Sequence, residues 1–106
     1  MGHQNTLMDD LTRYDGAAKK AYLDFYGQPY RTQPSVKDAD HIRSIGRSIM
    51  LHRDGILTGG GFVTAVCAND LDGAIQKADS VCWNNLPFFV HCKLHVRPII
   101  YAQVYP

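Results

Sequence analysis

The 106-residue chain carries eleven Lys and Arg against ten Asp and Glu, a formal net charge of +1, with 45% hydrophobic and 20% charged residues. That is the composition of a soluble globular domain with one modest core. It excludes binding of nucleic acid or acidic membrane by global charge, and no apolar run approaches the roughly 20 residues needed to span a bilayer.

In chain order, residues 5–26 form an amphipathic helix, because Leu7, Leu11, Tyr14, Ala18, Tyr22 and Phe25 recur at helical intervals. Asn5 or Thr6 caps its start, Asp9 and Asp10 sit at the positive end of the dipole, and Gly27 terminates it. Residues 28–36, with Pro29 and Pro34, form an extended connection. A second helix runs from about Asp38 to Asp54, with Ile42, Ile45, Ile49 and His52 on one face and Arg43, Arg47, Met50 and Asp54 on the other. Gly55 stops it, leaving Ile56 and Leu57 to pack back over its end.

Residues 58–79 read as one continuous or merely bent helix, capped by Thr58, with Val63, Cys67, Leu71, Ala74 and Ala78 on its apolar stripe. Asn69 or Asp70 marks the alternative, a break into two shorter helices. A further helix is predicted from about Leu86 to His95, with Asn84 or Asn85 as cap and Pro87 in the first turn. Residues 97–106 form an extended, β-like tail rich in β-branched and aromatic side chains. The expected architecture is therefore mainly α: a single domain over residues 1–106, about four helices in a small bundle, and an extended C-terminal tail. Tyr14, Tyr22, Phe88 and Phe89 are expected in its core.

Three cysteines, Cys67, Cys82 and Cys92, are an odd number on helical positions, which suits a reducing cytoplasm better than a disulfide framework. They lie on apolar faces, where burial raises a thiol pKa and suppresses attack, so no cysteine–histidine dyad is expected. His91, His95, Cys82 and Cys92 do not share one helix face, and no metal site is expected from them. The run Gly59-Gly60-Gly61 opens a helix without the Lys-Ser/Thr pair or the preceding strand that a nucleotide loop requires. It reads as a tight turn. Catalytic residues and cofactors are accordingly expected to be absent.

One pattern resembles a known group. Gly60, Gly61, Phe62, Ala65, Val66, Asn69, Asp70, Leu71, Ala74, Ala78 and Asp79, with His52, Gly55 and Leu86-Pro87 around them, are similar to a motif of small phage- and prophage-encoded proteins, mostly of unknown function. The resemblance spans about residues 46–95. The chain departs from the group at Val63 and Cys67, where leucine is more typical, and from Val96 onward. It implies a mobile-element origin, an all-helical centre and the cytoplasm of a bacterial host, and it brings no active site.

What remains is surface. Aromatic anchors with a polar rim are what protein interfaces use. The residues assigned to a partner are Tyr26, Tyr30, Arg43, Arg47, Met50, Trp83, Tyr101 and Tyr105. The leading expectation is a non-enzymatic phage-derived protein that binds a host protein or ribonucleoprotein complex, in the manner of an inhibitor of a bacterial defence system such as CRISPR. One alternative is a DNA- or RNA-binding regulator using the Arg43/Arg47 ridge. Another is a small-ligand or nucleotide binder at Gly59–Gly61. A homodimer is compatible with each.

Overall fold

The computed structural model describes residues 7–97, which form six helices and no strand. They are α1 (Leu7–Tyr26), α2 (Val36–Arg53), α3 (Gly61–Cys67), α4 (Leu71–Lys77), α5 (Ser80–Asn84) and α6 (Leu86–His95). The organising element is α2, which packs against α1, α3, α5 and α6. That placement corrects the two-faced reading of α2. Ile42 and Ile49 are buried as expected, but so are Gly46, Met50 and Leu51, because the helix has neighbours on more than one side.

The core is aromatic and aliphatic, with Tyr14, Ile42, Ile49, Met50, Phe88, Phe89 and Cys92 fully inaccessible. Each large member contributes about 1.5–3 kcal/mol by leaving water. Phe25, Tyr26, Phe88, Phe89 and Phe62 follow one another as tilted or edge-to-face ring contacts at 5.0–5.7 Å. Tyr14, Phe88 and Phe89 are core as expected, whereas Tyr22 is only half-buried.

Helix ends follow from particular residues. At the end of α2 the Gly55 N–H donates to His52 O and the Ile56 N–H to Leu51 O, with Gly55 at φ +76°. That is a Schellman closure, and it uses the glycine for its left-handed conformation. The same closure recurs where one helix was expected to run on. Asn69 takes φ +60°, its N–H donates to Val66 O, and the Asp70 N–H donates to Ala65 O. Asp70 then caps the next helix, its Oδ1 accepting the Gly73 N–H at 3.0 Å. Residues 58–79 are thus two helices, α3 and α4, folded against each other. The apolar stripe continues through a stop signal and a start signal set side by side.

Two further expectations are corrected here. Gly60, not Thr58, is the N-cap of α3, because the tri-glycine run stays non-helical until Gly61. The short helix α5 stands where no element was expected. It is capped by Asp79, whose Oδ1 accepts the Cys82 N–H at 2.7 Å. With α3 and α4 separate, the helix count is six rather than about four. The expected β-like tail over 97–106 lies, past Arg97, outside the described residues.

Candidate interaction surface

Helix α6 has one face in the core and one in solvent, and its outward face is apolar. Phe88, Phe89 and Cys92 point inward, while Val90 and Leu94, one turn apart, are exposed, Leu94 to 62%. On one flank lies a shallow, mainly apolar groove against α3 and α4, lined by Ala65, Val66, Leu71, Ala74, Leu86 and Val90 together with the polar Asn69 and Asp70. Leu71 is exposed to 61% beside it. The groove wall is fixed by Lys93, whose ammonium donates to Val66 O at 3.0 Å and to the Asn69 side-chain oxygen. Lys93 therefore ties α6 to the carbonyl end of α3, where a cation is also favoured by the helix dipole.

On the other flank of α6, the Phe25 ring gathers charged and aromatic groups from three elements. The Arg31 guanidinium carbon lies 3.7 Å from the Phe25 centroid and 5.1 Å from that of Tyr30. Its Nε donates to Gln28 Oε1 at 2.9 Å. The His91 ring stands 5.2 Å from Phe25 and 5.4 Å from His95. Burial holds the His91 pKa below the ordinary imidazole value, helped by the nearby His95 and Arg31 and opposed by Asp24.

The residues picked from sequence separate into four sets. Tyr30 and Trp83 are exposed, to 76% and 57%, and are available to a partner. Tyr26 and Met50 are not. Tyr26 is buried with its hydroxyl donating to Asn85 Oδ1 at 2.5 Å, and burial pushes its pKa up. Met50 is fully inside because α2 is enclosed. Arg43 and Arg47 form no free basic ridge: Arg43 is half-buried over Tyr22 and bonded to Asp40, and Arg47 stands 3.9 Å from Asp15. Tyr101 and Tyr105 lie outside the described residues. Sequence reasoning missed Arg31, Val90 and Leu94. Nothing local marks Arg31, but Val90 and Leu94, four apart on a helix with Phe88, Phe89 and Cys92 inside, were readable as an outward apolar pair.

Of the three cysteines, Cys82 and Cys92 are buried and Cys67 is half-buried. Cys92 is fully buried and its thiol pKa is pushed up to about 12 by burial; Cys82 is pushed up to about 11 by burial and the adjacent Asp79 carboxylate. Burial also raises Cys67, whose Sγ–H donates to Ile49 O. Thiols held protonated in this way are poor nucleophiles. At the tri-glycine turn the Gly59 N–H is taken by His52 Nδ1 at 3.0 Å, and a Cβ on Gly61 would meet the Lys77 side chain at 2.7 Å. Among the described residues no three His, Cys, Asp or Glu side chains come together in a metal-binding group, and no helix is long and apolar enough to cross a membrane.

Against protein-family models, curated proteins and solved structures, the chain gives no match. The reading of its surface therefore rests on its own geometry.

Proposed function

We propose that this protein acts by binding another protein, without catalysis, through the outward face of α6 and its two flanks. The observation that carries this reading is the exposed pair Val90 and Leu94, continuous with the Leu71–Leu86 groove and bordered by Arg31, His91 and His95. An apolar centre with a polar, cationic rim is the anatomy of a protein interface. Tyr30 adds an aromatic anchor on that rim. The partner we propose is a host protein or ribonucleoprotein complex, with the chain serving as a phage-derived inhibitor of a bacterial defence system. That part leans on the resemblance of residues 46–95. The nucleic-acid alternative gains nothing from Arg43 and Arg47, whose charges are met by Asp40 and Asp15.

The test is affinity capture of the full chain from bacterial lysate, identification by mass spectrometry, and reconstitution with the purified partner. A stoichiometric complex is expected for the wild type. It should weaken at least about 30-fold for Val90→Glu with Leu94→Glu, as befits two central apolar contacts, with circular dichroism unchanged. Absence of any stoichiometric partner, or a complex indifferent to both substitutions, would overturn the reading.

A further inference from the structure

We propose that Arg31 and His91, which stand against the Phe25 ring, and His95, which stands against His91, form an anchor for a carboxylate carried by an acidic segment of the partner protein, with apolar residues of that segment lying on Val90 and Leu94. The inference rests on the interaction reading above and names the partner's chemistry.

Arg31 is held ready for such a group. Stacking on Phe25 and the Nε bond to Gln28 fix the plane of the guanidinium, so little freedom is lost when a ligand docks. Its terminal nitrogens, the pair that grips a carboxylate bidentately, make no hydrogen bond among the described residues. Three of the other arginines differ in this respect: Arg43, Arg47 and Arg53 each face an aspartate. No carboxylate among the described residues stands within ion-pair distance of Arg31.

His91 reports its surroundings. Burial lowers the proton affinity of His91 most, His95 on its own helix and Arg31 on the connection lower it further, and Asp24 on α1 raises it. Asp24 is itself engaged by Lys20 at 2.7 Å. The fixed charge that a ligand meets here is the Arg31 guanidinium, which attracts an anion. Protein acid rather than nucleic-acid phosphate fits the surroundings. A phosphate chain needs cations along a track, whereas here one cluster borders Tyr30, Val90 and Leu94, and the neighbouring arginines of α2 are paired.

The experiment is an NMR titration of the full chain with a short peptide of repeated Asp-Leu-Ser, its Asn-Leu-Ser counterpart, and a thymidine oligonucleotide. The acidic peptide should give saturable shifts at the Arg31 guanidinium and at the His91 and His95 rings, and bind at least about tenfold more tightly than either control, as charge-assisted bonds require. The bound carboxylate should raise the His91 titration midpoint, so affinity should climb as pH falls from about 7.5 to about 5.5. Arg31→Gln should lower affinity about tenfold or more by removing the bidentate contact. The double change His91→Gln with His95→Gln should abolish the pH dependence, and it carries the comparison if Arg31→Gln fails to fold. Equal binding of the uncharged peptide, preference for the oligonucleotide, or shifts confined to other surfaces would overturn the proposal. The two readings fail separately. A host partner retained in full by Arg31→Gln sinks the carboxylate anchor alone, whereas acidic-peptide binding with no host partner sinks the host-protein reading alone.

Discussion

At the residue scale, Arg53 joins the end of α2 to the end of α6. Only 16% of it is exposed, and its guanidinium is spent entirely inside the molecule. One edge meets Asp54 twice, Nε to Oδ1 at 2.7 Å and Nη2 to Oδ2 at 2.9 Å, while Nη1 donates to Cys92 O at 2.9 Å, Lys93 O at 3.0 Å and Val96 O. The last carbonyls of α6 have no partners within their helix, so Arg53 closes α6 from α2. Asp54 in turn accepts the Tyr14 hydroxyl at 2.6 Å, which joins α1 to the same network. Replacing Arg53 by Ala leaves the 8%-exposed Asp54 carboxylate and several carbonyls short of donors. It should cost about 3 kcal/mol of unfolding free energy in a urea titration. Tyr14→Phe removes one bond to a charged group and should cost about 1.5 kcal/mol. Because the two share Asp54, the double variant should fall short of the sum, and a strictly additive result would show that the network is not coupled.

At the element scale, the break between α3 and α4 is the instructive case. Boundaries marked by a single unambiguous residue type were legible: Gly55 closes α2, and Pro87 behind Asn85 starts α6 at Leu86. The pair Asn69-Asp70 was legible only as an alternative, because the apolar spacing from Val63 through Ala78 is what a continuous helix would also show. The deciding chemistry is conformational. Asn tolerates the left-handed region that most residues avoid, and Asp70 finds space for its cap because Gly73 has no Cβ, which would sit 2.3 Å from Oδ2. Asn69→Gly should therefore be nearly neutral, apart from the lost Lys93 contact, whereas Asn69→Val should cost about 1–2 kcal/mol in backbone strain. Asp70→Ala should cost about 1 kcal/mol through the cap. A valine variant as stable as the glycine one in thermal melts would remove the left-handed closure as the cause of the break. The same contrast explains the candidate site. Exposure of Tyr30 and Trp83 followed from their lying on short, weakly periodic segments, whereas Met50 and Tyr26 sat on periodic helices whose second neighbours no sequence pattern announces.

At the scale of the whole molecule, the arrangement depends on how closely α2 and α6 approach. Gly46 is the point of contact: a Cβ there would stand 3.1 Å from both Cys92 Sγ and Phe88 Cε2. All three residues are buried, and Phe88 is also held by Tyr22, Phe25 and Tyr26 through ring contacts. Phe88 therefore has little room to retreat, and any added volume must push α6 outward. That displacement would strain the Arg53 bonds to the end of α6 and the Lys93 bonds to α3, since both span the same helix. Interiors packed at this density respond to one or two extra carbons with a cost of about 1–3 kcal/mol. Gly46→Val should sit at or beyond the upper end, because a β-branched residue also loses helix propensity. Gly46→Ala is the finer probe, since losing glycine gains about 1 kcal/mol of helix propensity that the tight contact must then offset. A melting temperature for Gly46→Val well below that of Gly46→Ala identifies close helix approach as the determinant. Equal, undiminished stability of both would mean that α6 can shift freely on α2, and the outward face carrying Val90 and Leu94 would then have no fixed position from which to present itself.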